Sequence, residues 1–232
     1  MNKHDQCLWK YYQNDNAGVF SGTHDRHNKV VREIKKRLPL HAKVLEVGFG
    51  DGYLIKKLSN KYDCYGADIS NEVVERIKKE ILNVRFETIN IDGKLPYEDN
   101  FFNGFIASEV LEHMADEELF LCVSEIKRVL KKDGYGIITV PAEENLKESE
   151  CFCPNCGTVF HKWGHKQFWD VKKIRDVFKG FEIIQIKDYF VRYEGNSVLE
   201  KITGYIFYIL RNLFNKFNKL PNRSYLAVIR KK

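Results

Sequence analysis

The residues best placed to do chemistry lie in VLEVGFGDG, residues 44–52, where an apolar run carries Glu46 and is followed by Gly48, Gly50 and Gly52. Glycine has no Cβ and accepts positive φ, so alternate glycines turn the chain sharply and bring bare backbone against a ligand. The dinucleotide spacing G-x-G-x-x-G/A would need a third small residue where Tyr53 stands, and Asp51 would set a carboxylate beside any phosphate. Pyrophosphate is therefore disfavoured. An acid-flanked loop suits S-adenosylmethionine, which has no phosphate and carries positive charge on its sulfonium and amino group. In DCYGADIS, Asp68 lies twenty residues beyond Gly48, where a carboxylate can accept hydrogen bonds from two ribose hydroxyls, and Ile69 follows it.

With these residues in order, the chain resembles the class I S-adenosylmethionine-dependent methyltransferases over roughly residues 26 to 190 and the last strand. The resemblance implies that the loop of Glu46, Gly48, Gly50 and Gly52 packs on the methionine part of the cofactor and that Asp68, with Ile69 beside it, holds the ribose end. It also implies that Asp92, followed by Gly93, meets the adenine amino group. Asn103 departs from the aspartate that relatives carry in the turn after LPYEDN, and Glu109, in SEVLEHM, matches the fourth strand end that approaches the cofactor. The implied activity is methyl transfer to a small-molecule or glycan acceptor.

Three of six cysteines fall in ECFCPNCGTVFHKWGH. Cys153 and Cys156, with Pro154 and Gly157 in their turn, have the form of a zinc knuckle, and His161 and His165 follow at a usual histidine spacing. A structural zinc ion on Cys153, Cys156, His161 and His165 is the first expectation, with Cys151 able to replace either histidine. The alternatives are reduced thiols beside a solvated histidine turn, or a redox pair. Cys7, Cys64 and Cys122 are isolated and read as core or surface thiols.

Glu109, Glu112 and His113, with His165 further on, are also similar to the metal-binding set of the Hen1-type RNA 3′-terminal 2′-O-methyltransferases. There the resemblance implies a divalent ion acting as Lewis acid and template on terminal ribose hydroxyls. The same E-V-L-E-H also shapes pockets in small-molecule relatives without a metal. The two metal readings compete for His165. RNA is the less favoured acceptor, because no basic arm or aromatic-bearing basic strand stands out. A noncatalytic scaffold with the same fold is the third class.

Strand and helix patterns alternate along the chain. Val30, Val31, Ile34 and Leu38 mark a helix stopped by Pro39, and strands are expected at 43–47, 64–68, 84–90, 104–109 and 135–140. Ser70 caps a helix carrying Val73, Val74, Ile77 and Ile81; Asp116 caps another, which Gly134 ends. Strands at 181–189 and 224–232 complete an α/β, doubly wound, mostly parallel seven-stranded sheet with helices on both faces, Rossmann-like, with its ligand at the carboxyl ends of the strands.

The chain of 232 residues, 44% hydrophobic and 30% charged, suits one folded domain rather than a disordered chain. Its 38 basic and 32 acidic residues are mixed, and a net charge of +6 does not demand nucleic acid. The expected division is a leader or lid at 1–25, a methyltransferase domain at 26–190 and 222–232 with its Cys/His loop at 151–165, and a helical insertion at 191–221. A polar N-terminus, MNKHDQ, points to the cytoplasm. Within the helical stripe at 198–220 the longest uncharged stretch, residues 202–210, falls well short of the ~20 residues that span a bilayer. Lys201, Arg211, Lys216 and Lys219 beside Phe and Tyr suit peripheral contact with the inner membrane surface; packing on the domain or on a second subunit is the other expectation.

Overall fold

Alternation along the strands sets the layers. In the first strand, β1 (Lys43–Val47), Val44 joins one hydrophobic cluster while Leu45 and Val47 join the other. In β4 (Phe102–Ser108), Ile106 lies with Val44, and Phe105 and Ala107 with Leu45. A sheet apolar on both faces must be covered on both. Helices α1 (His24–Arg37), α2 (Tyr53–Leu58) and α3 (Asn71–Glu80) cover one face through Val30, Ile34, Leu54 and Ile77. The opposite face is covered by α4 (Asp116–Val129) and α5 (Val171–Val177) through Leu119, Ile126 and Ile174. This computed structural model describes residues 7–8, 11–12, 24–90, 94–190, 206, 209–210 and 223–232.

The main sheet has seven strands in the order β3-β2-β1-β4-β5-β9-β8, where β2 is Asp63–Asp68, β3 Arg85–Thr88, β5 Leu130–Ala142, β8 Phe181–Phe190 and β9 Arg223–Lys231. The first five run parallel, with Glu46 opposite Gly66 on one side and Ile106 on the other. Strand β9 is antiparallel to both β5 and β8. The expected doubly wound, mostly parallel sheet is the observed one. Chain order reverses direction between β1 and β4, and the carboxyl ends there open the crevice in which such sheets bind ligands. A separate antiparallel hairpin, β6 (Glu150–Phe152) with β7 (Val159–His161), carries the cysteine turn.

Several local expectations are refined by tertiary contacts. Ser70 does cap α3, its Oγ accepting from the Val73 N–H at 3.3 Å. Asp116 does not cap α4: the cap position is Ala115, whose N–H donates to the Glu118 carboxylate at 2.7 Å, while Asp116 accepts from Gln167 Nε2 at 2.9 Å. That helix ends at Val129, before Gly134, because Leu130 is already drawn into pairing with Phe102 of β4. Helix α1 starts at His24, inside the segment expected as a leader. Most of that leader and of the 191–221 insertion lies outside the described residues, among which no helix is long and apolar enough to cross a membrane.

Gly66 shows how closely the first layer is packed: a Cβ there would stand 2.5 Å from Phe86 and 2.8 Å from Phe49. Overpacking a filled core typically costs 1–3 kcal/mol. Gly66→Ala is expected to lower unfolding free energy by about that amount, read as a reduced urea midpoint with an unchanged slope.

Candidate active site

The glycine loop leaves β1 at the switch point. Gly48, Gly50 and Gly52 have φ of 69°, 53° and 70°, a left-handed region that glycine enters without strain. A Cβ on Gly48 would meet Val110 Cγ2 at 2.5 Å and one on Gly52 would meet Ile81 Cδ1 at 2.9 Å, whereas nothing lies within 4 Å of one on Gly50. Two of the glycines are thus held against protein, and the third borders open space where a ligand can reach the backbone.

Two buried acids stand behind this loop. The Asp68 carboxylate accepts from the Ser70 N–H at 2.9 Å and from the backbone N–H groups of Gly50 and Ile69. Burial nevertheless raises its pKa. Glu46 is 3% exposed, and its Oε2 has no hydrogen-bond partner. Burial first, then the charges of Asp51 and Asp68, push its pKa well above the usual carboxylate range. Such a pair fits a ligand that brings positive charge and hydroxyl donors. Ile69, 45% exposed at the end of β2, adds an apolar surface. Asp92 and Gly93 lie outside the described residues.

The end of β4 turns the chain toward the Cys/His loop. Glu109 sits at φ 55° with its N–H bonded to the Thr139 carbonyl at 3.0 Å, and its Oε2 lies 3.5 Å from Arg26 Nη2 of α1. One 3-10 turn, Leu111–His113, follows. Glu112 within it is fully buried, and neither carboxylate oxygen has a hydrogen-bond partner. Its backbone carbonyl accepts from the N–H groups of Lys166 at 2.7 Å and Gln167 at 3.0 Å, which pins the loop onto the turn. His113 then lies with its ring centroid 4.9 Å from that of His165, itself 4.7 Å from that of His161.

Glu144, which the sequence reading did not single out, completes this cluster. His165 Nδ1 is 2.5 Å from Glu144 Oε2, and His161 Nε2 is 3.5 Å from Oε1. Burial drives the His113 pKa down to about 3, with His165 adding to the shift, and burial followed by His165 also lowers that of His161. For Glu144, burial acts upward but the His165 hydrogen bond and the nearby imidazoles prevail, so its pKa falls. The available signal was position: Glu144 follows the carboxyl end of β5 as Glu109 follows that of β4.

The zinc knuckle expected from Cys153, Cys156, His161 and His165 is not assembled. Among the described residues no cysteine belongs to a group of three possible ligands; the two histidines instead join Glu144, and His165 joins Glu112 and His113. Cys153 and Cys156 occupy the tip of the hairpin, where the Cys153 N–H donates to the Thr158 carbonyl and the Gly157 N–H to the Cys153 carbonyl, both at 2.9 Å. His161 is paired with Glu150 at the hairpin's other end. The strand residues Val159 and Phe160, roughly 7 Å at about 3.3 Å per residue, stand between the cysteine turn and His161. Hydrogen bonds with Thr158 lower the Cys156 pKa. Cys64 and Cys122 are buried free thiols, as expected.

Residues 45–138 match the family model described as methyltransferase domain. The matched stretch runs from β1 into β5, and over it the chain is similar to a methyltransferase domain. A curated relative, an uncharacterized protein of Methanocaldococcus jannaschii, is 29% identical over 119 residues, 51% of this chain and 48% of that protein. The match thus spans about half the length of that relative. Three solved structures share the fold. The complex of the Haloferax volcanii Trm112 methyltransferase activator with its methyltransferase partner aligns at TM-score 0.66, 18% identity and 96% of each chain. The N-methyltransferase NodS of Bradyrhizobium japonicum with S-adenosyl-L-homocysteine aligns at 0.65, 14% identity and 99% of each chain. A Methanosarcina mazei S-adenosylmethionine-dependent methyltransferase aligns at 0.63, 16% identity, 86% of this chain and 96% of its own.

The Glu46 environment has a consequence for stability. Folding raises its pKa, so above the ordinary value of 4.5 the folded chain binds a proton that the unfolded chain has lost. Stability contributed by this group therefore falls as pH rises from that value toward the raised one. Glu46→Gln is expected to flatten that part of the profile in the cofactor-free protein, measured by urea unfolding at a series of pH values; an unchanged slope would place the proton elsewhere.

Proposed function

We propose that the protein transfers the methyl group of S-adenosylmethionine to a small-molecule or glycan acceptor, as a cytoplasmic enzyme. The reading is carried by one observation: Gly50 borders open space at a point where a buried Glu46 oxygen without a partner and the buried Asp68 carboxylate stand close behind it. When bound, the cofactor supplies an electrophilic methyl group on cationic sulfur for in-line displacement. In this reading Glu46 compensates the cofactor's positive charge, Asp68 accepts from two ribose hydroxyls, and Ile69 covers the adenine side together with Asp92 and Gly93. The backbone of Gly48, Gly50 and Gly52 shapes the methionine end, and Glu109 faces it from β4. Alignment of the two reactants can lower the barrier by ~7 to 11 kcal/mol, so positioning precedes acid and base chemistry. We assign no catalytic base.

The mixed surface charge supports an acceptor that is not nucleic acid. An RNA 3′-terminal 2′-O-methyltransferase is the second reading. Its support is the convergence of Glu112, His113 and His165; the pairing of Glu109 with Arg26 removes one member of the set. In the proposed division, 1–25 acts as a lid and 191–221 as a helical insertion, with peripheral membrane contact through 198–220.

Asp68→Ala tests the cofactor assignment. Each lost hydrogen bond to a charged acceptor is worth ~1.5 to 3 kcal/mol, so affinity for S-adenosylmethionine should fall at least tenfold by calorimetry. Unchanged affinity with an intact fold would defeat the assignment. Transfer of a labelled methyl group into RNA 3′ ends, rather than into small glycans, would replace the first acceptor reading by the second.

A further inference from the structure

We infer that Cys153 and Cys156, at the tip of the β6–β7 hairpin, are a thiol–disulfide exchange pair: Cys156 attacks a low-molecular-weight disulfide, and Cys153 then closes the bond onto it. Residues 153–158 join Phe152 to Val159, the last pair of the hairpin. Their turn is closed by the Cys153 N–H on the Thr158 carbonyl and the Gly157 N–H on the Cys153 carbonyl, both at 2.9 Å. Gly157 has φ of 71°, and nothing lies within 4 Å of a Cβ built on it, so the turn makes its left-handed step without strain. The backbone thus holds the two cysteines in one tight turn before any bond forms between their sulfurs. Cys151, two residues before Cys153, sits within β6 opposite Phe160, where strand pairing keeps it outside the turn.

The two thiols differ in exposure and in partners. Cys156 is exposed, whereas Cys153 is partly buried. The Cys156 S–H donates to Thr158 Oγ1 at 3.3 Å. A hydroxyl hydrogen rotates to suit its neighbour, so the same Thr158 hydroxyl donates to the sulfur once the thiol ionises. That hydroxyl first, then the Thr158 backbone and the Cys153 thiol, lower the Cys156 pKa. An exposed thiol with donors aimed at its sulfur is the state in which cysteine reacts. Cys64 and Cys122 are the opposite case. Both are buried, and burial pushes both thiols up to about 12, with the charge of Glu46 adding to the first shift and that of Glu125 to the second.

The exchange proceeds in two displacements. The Cys156 thiolate attacks one sulfur of the disulfide, the S–S bond breaks, and the departing thiolate takes up the proton that Cys156 released. The Cys153 thiolate then attacks Cys156 Sγ and displaces the second thiol, to which its own proton passes. In sum the turn loses two hydrogens and two electrons, and the small disulfide is reduced to two thiols. Such attack is fastest for a thiol whose pKa lies near the ambient pH, which makes Cys156 the entry point and Cys153 the resolving partner. None of this rests on the methyltransferase reading.

The experiment is exchange of the reduced full chain with glutathione disulfide, before and after chelation, read by intact mass and peptide mapping. The chain should lose two hydrogens, with the new bond mapped to Cys153 and Cys156. Cys153→Ser should stop at a glutathione adduct on Cys156, and Cys156→Ser should form neither adduct nor bond at the turn. Under limiting iodoacetamide Cys156 should be alkylated faster than Cys7, which is also exposed. Thr158→Val should slow alkylation of Cys156 by about fivefold, the weight of one ordinary hydrogen bond. Circular dichroism confirms that each variant is folded. An unreacted turn, a glutathione adduct that persists on the unaltered chain, or a bond drawn instead to Cys151 or Cys7 overturns the inference. So does alkylation of Cys156 no faster than that of Cys7 or unchanged by Thr158→Val, or a zinc ion that blocks exchange until it is chelated.

Discussion

Acidic side chains held out of water at the carboxyl ends of parallel strands are the constraint on which this structure turns. Glu46 and Asp68 end or nearly end two adjacent strands, and each is under 5% exposed. Burial raises the pKa of both, Glu46 the more strongly because Asp68 and Asp51 lie near it. Asp68 is partly relieved by backbone donors, while one oxygen of Glu46 is left without any. A cationic ligand with ribose hydroxyls would answer both needs, and Gly50 borders open space beside them.

The same tension recurs one strand further on. Glu112 is fully buried in the turn after β4, and the turn's carbonyl is tied to the backbone of Lys166 and Gln167. This clamp brings His113, His161, His165 and Glu144 into one cluster although they come from three separate stretches of chain. It also explains why the hairpin presents its cysteines away from its histidines. The loop is fastened to the domain at its histidine end, and the cysteine turn is closed by the Cys153–Thr158 and Gly157–Cys153 backbone hydrogen bonds.

Much of the fold was legible in residues. Val30, Val31 and Ile34, like Val73, Val74 and Ile77, repeat at helical spacing and all are buried; β1 to β4, β8 and β9 fell close to their expected places. Local patterns suffice there because the buried face of each element is written in its own period. Boundaries set by distant partners were not legible: Leu130 leaves its helix to pair with Phe102, and Asp116 yields the cap to Ala115 and Glu118.

By itself the sequence determined the glycine bend with its flanking acids, the order of strands and helices, and the presence of a cluster-forming set of cysteines and histidines. Only the tertiary structure decided how that set divides. Spacing along the chain allowed His165 to join either Cys153, Cys156 and His161 or the residues after β4, since four residues in a loop constrain distance but not direction. Pairing of β6 with β7 and the hydrogen bonds to the Glu112 carbonyl fix that direction, and with it the nitrogen each imidazole presents.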